Sequence, residues 1–306
     1  RVTRIIPFEG DMAIEDLIPN DSMIVTITHS GYIKRTNSAE YRVQARGGKG
    51  IKAATTKAAK KDQEADFIEH LFAAQNHDYI MFFTNTGRVY VDRVYEIDEA
   101  ARSAQGRNIK NLLDLQPEEN IAAILRLERQ VDENGNDTTF GEESGFVVFA
   151  TKDGTVKKTS LNDFRNYRKA GIIAINLEEG NSLVNAVLTS GNNEIVLVTH
   201  DGMSIRFNES DLRDQGRNTI GVRGIRPRPG DYVVALAIVD ESATLLVASE
   251  NGLGKRTGFD AYRLQSRGGT GVKTMNCTDK TGKVVSATVV SETDELMLMT
   301  TAGQSV

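Results

Sequence analysis

The stretch Phe146-Val-Val-Phe-Ala-Thr-Lys-Asp-Gly154-Thr-Val-Lys-Lys158 joins an apolar run to a second extended run through a Thr-x-x-Gly turn. The same turn, starting with Thr or Ser, occurs six times in the 306 residues. Its copies lie at 28–31, 84–87, 151–154, 199–202, 249–252 and 300–303. The glycines are 56, 67, 48, 50 and 51 residues apart, and a period near 50 predicts a propeller or solenoid array.

Each copy is typical of a β-hairpin, because the run before the turn is β-branched or aromatic and too short for a typical helix. The pairs Asp153-Gly154, Asp201-Gly202 and Asn251-Gly252 predict type I′ turns, since Gly and Asx tolerate positive φ. A second apolar run closes most repeats, as in Val284-Val-Ser-Ala-Thr-Val-Val290. Each repeat therefore holds about four strands, which is the content of one propeller blade.

The continuous period predicts one all-β domain over 1–306 rather than two domains. The expected repeats are about 22–74, 76–128, 144–190, 192–240 and 242–291, with a partial sixth over 293–306 and an acidic loop over 128–145. The one cysteine, Cys277, cannot form an intrachain disulfide, which fits a reducing cytosol. No membrane-length apolar run or signal peptide is visible, and the start at Arg1 predicts an excised fragment.

The net charge of −5 argues at first against a nucleic-acid binder, but the distribution of charge reverses this. Five stretches that follow the hairpins hold 25 basic and 3 acidic residues, whereas the remaining 222 residues hold 12 basic and 39 acidic ones. The stretches are 41–61, 102–110, 154–169, 213–228 and 252–273. Because they occupy similar phases of the repeat, they predict a basic rim on an acidic body.

The most basic stretch begins Tyr41-Arg-Val-Gln-Ala-Arg-Gly-Gly-Lys-Gly50 and has no acidic residue up to position 61. Its glycines leave the backbone bare, so amide groups can approach a phosphate closely. Gln44-Ala-Arg-Gly-Gly-Lys-Gly50 resembles the gyrase A box, usually written Gln-Arg-Arg-Gly-Gly-Arg/Lys-Gly, which marks the C-terminal domain of DNA gyrase A. Ala45 replaces one arginine of that pattern.

The resemblance covers essentially the whole chain, because similar segments recur in every repeat. They are Tyr32-Ile-Lys-Arg35, Gly87-Arg-Val-Tyr90, Gly154-Thr-Val-Lys-Lys158, Asn218-Thr-Ile-Gly-Val-Arg-Gly224 and Asn251-Gly-Leu-Gly-Lys-Arg256. A degenerate copy of the box is Gln265-Ser-Arg-Gly-Gly-Thr-Gly271, with weaker echoes at Gln105-Gly-Arg107 and Gln215-Gly-Arg217. The box is therefore interpreted as a feature of the repeat, most charged in its first copy.

The resemblance implies a six-bladed β-pinwheel, a propeller-like fold in which neighbouring blades exchange strands, with the sixth blade incomplete here. It implies DNA wrapping around the outer rim, which enables ATP-dependent negative supercoiling by the full enzyme. This chain would carry no catalytic residues, metal or cofactor, while the holoenzyme would use ATP and Mg. The implied partners are double-stranded DNA, the N-terminal breakage-reunion part of the same polypeptide and DNA gyrase B in an A2B2 assembly. The isolated domain would be a monomer in the bacterial cytoplasm, at the nucleoid, away from membranes.

A rim of Lys and Arg binds phosphates, releases counterions and reads little sequence. The basic stretches and the box supply the predicted DNA contacts. They are Gln44, Arg46, Gly47, Gly48, Lys49, Gly50, Lys52, Lys57, Lys60, Lys61, Arg102, Arg107, Lys110, Lys157, Lys158, Arg165, Arg168, Lys169, Arg213, Arg217, Arg223, Arg226, Lys255, Arg256, Arg263, Arg267 and Lys273.

Other functions stay open at this point. The corresponding domain of DNA topoisomerase IV shares the blade but typically has a degraded box, and it would select substrate DNA. A protein-interaction propeller and an enzymatic propeller are alternatives from other classes. Residues 132–143 imitate a calcium loop weakly, because Asp137 stands where glycine is needed and helical flanks are missing. Tyr41 and Tyr262 occupy corresponding positions and are interpreted as packing or rim residues.

Overall fold

The computed structural model describes residues 14–41 and 66–294, and within these ranges the chain is all-β with short 3-10 helices. The strands are β1 (Ser22–Thr28), β2 (Tyr32–Asn37), β3 (Ile68–Gln75), β4 (Tyr79–Thr84), β5 (Arg88–Arg93), β6 (Arg107–Asn108), β7 (Ile121–Leu127), β8 (Phe146–Thr151), β9 (Thr155–Ser160), β10 (Ile172–Ile173), β11 (Leu183–Thr189), β12 (Glu194–Thr199), β13 (Met203–Asn208), β14 (Val222–Arg223), β15 (Val233–Ile238), β16 (Thr244–Ser249), β17 (Gly254–Gly258), β18 (Val272–Lys273) and β19 (Val284–Val290). The 3-10 helices are η1 (Ile14–Leu17), η2 (Ser38–Glu40), η3 (Val94–Glu96), η4 (Ile109–Asn111), η5 (Leu161–Phe164), η6 (Glu209–Asp211) and η7 (Phe259–Ala261).

The strands form five sheets, one for each complete repeat in the sequence. Their strand orders are β3-β1-β2-β6, β10-β5-β4-β7, β11-β8-β9-β14, β15-β12-β13-β18 and β17-β16-β19. In the first four, three strands of one repeat are joined by a two-residue strand from the next repeat. In the third sheet, for example, Val222 of the fourth repeat pairs antiparallel with Val156. Neighbouring repeats therefore exchange strands, as the resemblance implied.

Five sheets are seen, not the six that the sequence predicted. The expected sixth repeat lies over 293–306, and residues 295–306 are outside the described ranges. Within those ranges, β17 carries no fourth strand, whereas β2, β5, β9 and β13 each do. The difference matters below, because it leaves the side chains of β17 exposed.

The hairpin turns are not the predicted type I′ turns. In the third repeat, the amide of Gly154 donates to the carbonyl of Thr151 at 3.0 Å, and Gly154 has a φ of 90°. No residue other than glycine has positive φ in the described part of the chain, so Asp153 cannot occupy the left-handed position that type I′ requires. The turn matches the longer hairpin loop that ends on a left-handed glycine in a bulge. The Thr151 hydroxyl stabilises it, lying 2.6 Å from the Asp153 carboxylate.

The chain divides into two compact units. Among the described residues, the first unit contains 14–41, 66–79 and 92–112, and the second contains 80–91 and 113–294. The expectation of a single domain over 1–306 stays a prediction. Strand exchange occurs inside each unit, through β6 on β2 in the first and through β10, β14 and β18 in the second. Within both described ranges, no helix has the length and apolar character needed to cross a membrane.

The core of the second unit lies between successive sheets. Val156 from the third repeat packs with Ile205 and Ile225 from the fourth, and all three are fully buried. A second cluster joins Val196 of the fourth repeat to Val247 and Phe259 of the fifth. Each such side chain contributes about 1.5–3 kcal/mol through removal from water. The apolar face of each sheet therefore exists to be covered by the next repeat.

Basic side chains also fasten each repeat to the next. The fourth residue after the turn glycine is Arg35, Lys158 or Arg206 in three of the repeats. Each donates to a backbone carbonyl at or just after the next 3-10 helix: Arg35 to Ile97 at 2.8 Å, Lys158 to Glu209 at 3.2 Å and Arg206 to Phe259 at 2.6 Å. These residues are part of the fold rather than of the surface.

Replacement of Gly221 by alanine is expected to destabilise the chain by at least about 2 kcal/mol. Gly221 has a φ of 105°, and a Cβ there would lie 2.4 Å from the carbonyl oxygen of Val156 on the partner strand. Gly216, in the same loop, has ordinary φ and open space around a Cβ. Gly216→Ala should therefore stay within about 0.5 kcal/mol of the wild type in urea unfolding. Equal unfolding midpoints for the two variants would contradict the role assigned to Gly221.

Candidate nucleic-acid interface

An arginine stands at the end of the 3-10 helix in each of the last three repeats. Arg165 follows η5 directly, while Arg213 and Arg263 come one residue after the C-caps of η6 and η7. The helices begin at fixed places because side chains cap them: Ser160 accepts from the amide of Asn162, and Asn208 from that of Ser210. We name Arg165, Arg213 and Arg263 the helix-end arginines. All three are exposed.

The helix-end arginines have little to hold them within the protein. The Arg165 guanidinium donates to the Asn162 amide oxygen at 3.1 Å. For the side chains of Arg213 and Arg263, the described part of the chain offers no hydrogen-bond or ion-pair partner. Planar guanidinium groups of this kind are suited to bind phosphate through two parallel hydrogen bonds.

Two further arginines lie on the loops that precede the exchanged strands. The half-buried Arg217 donates to the carbonyl of Ile173 at 2.9 Å, and Arg267 donates to those of Arg223 and Asp211, both at 3.1 Å. Each guanidinium has five donors, so part of it stays available after these bonds. The loops therefore hold their arginines in fixed orientations beside the helix-end arginines.

A polar cleft of about 410 Å³ brings both kinds of arginine together in the second unit. Its lining residues are Asn162, Asp163, Arg165, Asn166, Gly216, Arg217, Asn218 and Thr219. One wall is the η5 segment of the third repeat, and the other is the loop of the fourth. Asp163 offsets part of the positive charge, but the remaining donors are arranged for an anion such as a backbone phosphate.

The exchanged strands and the segments after them add further exposed basic residues. Arg223 and Lys273 are the second residues of β14 and β18, and both are exposed. Arg223 donates to the carbonyl of Asp153 at 2.6 Å, and Lys273 lies 3.3 Å from the Asn276 amide oxygen. Arg226, Arg168 and Lys169 are exposed in the same part of the repeat. These residues widen the basic surface of the second unit.

Lys157 and Lys158 do not belong to this surface, which corrects the sequence prediction. Lys157 is 1% exposed, and its ammonium donates to the carbonyls of Ala174 at 2.7 Å, Gly216 at 3.0 Å and Arg217 at 2.7 Å. Lys158 is also buried, and bonds to Glu209 as described above. Both residues lie on β9, an inner strand covered on both faces. Burial lowers the pKa of Lys157 to about 7, with Asp163 opposing this shift and Arg217 adding to it.

The equivalent pair in the fifth repeat is exposed. Lys255 and Arg256 lie on β17, to which no fourth strand is added in the described residues. Arg256 forms an exposed ion pair with Glu292. The same two sequence positions therefore contribute to the fold in one repeat and to the surface in another.

The first unit offers a smaller basic surface. Arg107 and Lys110 are exposed and Arg102 is half-buried, but Arg107 pairs with Asp98 at 2.8 Å. The box residues Gln44, Arg46, Gly47, Gly48, Lys49 and Gly50, together with Lys52, Lys57, Lys60 and Lys61, lie outside the described residues. Their predicted contacts with DNA stay predictions.

The degenerate copy of the box shows how such a segment is built. Gly271, its last glycine, has a φ of 76°, and a Cβ there would lie 2.2 Å from the carbonyl oxygen of Ser204. Arg267, its arginine, ties the loop to the preceding repeat. The glycine and arginine of this copy thus have structural roles as well as charge.

One echo of the box is out of register. The amides of Gln215 and Gln265 donate to the carbonyls of Lys158 and Arg206, and the amide of Ala100 donates in the same way to Arg35. Ala100, not Gln105, is therefore the equivalent of these glutamines. It follows that Arg102, rather than Arg107, corresponds to Arg217 and Arg267.

The segment suspected of imitating a calcium loop forms a small closed turn. The Asp132 carboxylate accepts from the amides of Asn134 at 2.9 Å and Asn136 at 2.8 Å, so its oxygens serve the loop itself. Across 14–41 and 66–294, no group of three or more His, Cys, Asp or Glu residues is placed to hold a metal ion. Tyr262 is buried and its hydroxyl contacts Thr274, which supports a packing role.

The sequence prediction missed some polar residues of the interface. Asn162, Asn166 and Asn218 line the cleft but carry no charge to mark them. Arg228 is exposed and lies in one of the basic stretches, yet it was not among the predicted contacts. Its position at the end of a basic stretch was the one signal that could have identified it.

Sheets that exchange strands, with basic loops following each hairpin, define a propeller-like repeat protein with an anion-binding surface. The chain matches the family described as "DNA gyrase C-terminal domain, beta-propeller" over residues 22–74, 78–128, 145–190, 193–240 and 243–291. It belongs to this family, which confirms the resemblance drawn from the sequence.

Curated relatives are components of the same enzyme. The chain is 42% identical over 305 residues to DNA gyrase A of Mycolicibacterium smegmatis and 44% identical over 306 residues to that of Clostridium acetobutylicum. These alignments cover 99% and 100% of this chain but 34% and 35% of the relatives. The chain thus spans about a third of their length.

Two solved structures support the fold and keep both candidate enzymes in view. The C-terminal domain of DNA topoisomerase IV superposes with a TM-score of 0.74 and 26% identity, covering 94% of this chain and 84% of that one. The DNA gyrase A C-terminal domain gives 0.70 and 28%, covering 94% and 88%.

Proposed function

We propose that this chain binds double-stranded DNA through its phosphates, without sequence preference, and wraps it along the loops that follow the hairpins. The observation that carries the proposal is the recurrence of the exposed helix-end arginines, Arg165, Arg213 and Arg263, at one position of three successive repeats. A repeated position places charge at regular intervals, which suits a repeated ligand such as a phosphate backbone. Arg217 and Arg267 add a second contact in the fourth and fifth repeats.

The energetics require several repeats to act together. Bending 20–30 bp smoothly through 40–90° costs on the order of 1–6 kcal/mol, and a longer wrap costs several times more. One arginine contact cannot offset this cost. Counterion release from contacts on successive repeats can, and it makes affinity fall steeply as salt rises.

We further propose that the wrap serves negative supercoiling in a gyrase-type enzyme. A right-handed wrap presents one DNA segment to the cleavage gate as a positive crossing, and passage through the gate leaves negative supercoils. Cleavage, ATP hydrolysis and Mg binding then belong to the breakage-reunion part of the same polypeptide and to DNA gyrase B in an A2B2 assembly. The proposed complete fold is a six-bladed pinwheel whose sixth blade includes 293–306. The chain itself is proposed to be a monomeric, non-catalytic domain in the bacterial cytoplasm, associated with the nucleoid.

Topology trapping is expected to give a positive change in linking number. The chain is bound to relaxed circular DNA, the circle is equilibrated with a topoisomerase I, and the protein is removed before the topoisomers are separated. A positive shift that grows with protein concentration and disappears at high salt is the expected result. Absence of both binding and shift at low salt would overturn the proposal.

The same experiment separates the second candidate. A role like that of the topoisomerase IV domain is favoured by the TM-score of 0.74 and by Ala45, which breaks the box. Salt-sensitive binding without a linking-number shift would support that role, in which the domain selects substrate DNA. Salt-insensitive binding to a protein partner, without DNA binding, would support an interaction propeller instead.

A further inference from the structure

The third residue after the turn glycine faces the loop that follows the hairpin of the next repeat. In the third repeat this residue is Lys157, whose ammonium reaches the carbonyls of Gly216, Arg217 and Thr219 in the fourth. In the first repeat it is Lys34, whose ammonium donates to Ala101, Arg102 and Ala104. The two sets correspond position by position, since Arg102 and Arg217 are equivalent. Both lysines are 1% exposed.

The fourth repeat solves the same problem without a lysine. Its third residue after the turn glycine is Ile205, which is fully buried, and the facing loop of the fifth repeat contains Gly268 and Gly269. Gly268 has a φ of 83°, and its amide donates to the carbonyl of Gly224. A Cβ on Gly269 would lie 3.7 Å from Ile205. Thus an apolar residue below the loop accompanies a Gly-Gly pair above it.

The second repeat shows a third combination. Tyr90 occupies the position, and the loop that faces it is two residues shorter: Leu161 to Gly171 spans ten positions, whereas Glu209 to Gly221 spans twelve. A Cβ on Gly171 would lie 2.8 Å from the Tyr90 ring. The nature of this one side chain therefore varies together with the length and glycine content of the next loop.

We propose that Lys157 is a positioning residue that holds the 216–219 loop in the conformation presenting Arg217, and that a Gly-Gly pair replaces it where the facing residue is apolar. The inference concerns the loop, and only its consequence for DNA affinity rests on the proposed function. The ammonium supplies three donors that point at carbonyls of one short segment. With these bonds in place, Asn218 and Thr219 keep ordinary φ, because no residue other than glycine has positive φ in the described ranges.

Loss of the lysine leaves carbonyls without donors. Buried carbonyls without partners are costly, so the loop must turn them elsewhere. The fifth repeat indicates how it can do so, since Gly268 takes the left-handed conformation that asparagine and threonine avoid. Replacing Asn218 and Thr219 by glycine would give the fourth repeat the sequence Gln-Gly-Arg-Gly-Gly-Ile-Gly. This is the pattern of the box, built above an apolar residue.

Three variants of the chain test the inference: Lys157→Ile, the pair Asn218→Gly/Thr219→Gly, and the triple combination. Amide exchange in a peptide covering 215–224 reports on the loop and on β14, while a peptide covering 265–274 serves as an internal control. Lys157→Ile is expected to accelerate exchange in the first peptide by about tenfold or more and to leave the second unchanged. The triple variant should return to within about threefold of wild type. Lys255→Ile, at the same position of the exposed strand β17, is the matched control and should change neither peptide.

Non-additivity decides the outcome. A triple variant that exchanges as fast as Lys157→Ile, or faster, would overturn the inference. If Lys157→Ile does not fold, a folded triple variant supports the inference and an unfolded one contradicts it. Affinity for a 40-bp duplex is measured on the same samples and should follow the loop: lowered about as much by Lys157→Ile as by Arg217→Gln, and restored in the triple. Exchange rates that behave as expected while wild type binds no DNA would contradict the proposed function alone.

Discussion

Replacement of the helix-end arginines Arg165, Arg213 and Arg263 by glutamine is expected to weaken binding of this chain to DNA on the order of 10²-fold at about 0.1 M salt. Each side chain that contacts a phosphate releases counterions, so the slope of log affinity against log salt should become shallower by about three. Glutamine keeps hydrogen-bonding capacity and similar length but removes the charge. The positive linking-number shift should vanish before binding does, because a wrap needs contacts on successive repeats.

The measurement is a salt titration of affinity with two duplexes of unrelated sequence. The two should lose affinity alike, since phosphate contacts carry no sequence information. A matched control replaces Lys152, Lys280 and Lys283, exposed basic residues outside the hairpin-following loops, by glutamine. It changes net charge equally and should alter affinity only slightly. An equal loss in the control would indicate a general charge effect, and a loss confined to one duplex would contradict phosphate binding.

The fold could be predicted from the sequence because the repeat reports it six times. Apolar runs, a Thr-x-x-Gly turn and a period near 50 recur independently of any one residue, and observed strands such as Tyr79–Thr84 and Val284–Val290 coincide with the predicted runs. The turn type was predicted wrongly because Asp-Gly and Asn-Gly pairs suit more than one hairpin. The glycine also ends a three-residue loop, and local sequence does not distinguish the two.

The site could be predicted only in part, because charge in a sequence does not reveal which strand covers which. Alternation along β9 places Lys157 and Lys158 on opposite faces, so one of them would be expected inside in any sheet with a single exposed face. Both are buried because the following repeat covers that strand from its edge as well. The helix-end arginines escape this fate since they lie after the 3-10 helix, beyond the sheet. Position within the repeat, rather than charge, separates surface residues from structural ones.

Replacement of Arg206 by alanine is expected to destabilise the chain by about 3–5 kcal/mol, a larger loss than any other single change considered for this molecule. Arg206 is 9% exposed, donates to the carbonyl of Phe259 and forms ion pairs with Glu194 and Glu241. Burial alone would lower the pKa of Arg206, but the hydrogen bonds to Glu194 and Glu241 more than offset it, so the net shift is upward. Its removal leaves Glu194 and a carbonyl of η7 without their donor, at the junction between the fourth and fifth repeats.

Arg256 provides the matched control, because it is the fourth residue after the turn glycine in the fifth repeat, as Arg206 is in the fourth. Its side chain is 44% exposed and pairs with Glu292, which is 80% exposed. Exposed ion pairs contribute about 0–1 kcal/mol, so Arg256→Ala should change the unfolding free energy by no more than that. Urea unfolding of both variants, with amide exchange across 254–265, measures the difference. Similar losses for the two arginines would contradict the view that a basic residue at this position acts by fastening its repeat to the next one.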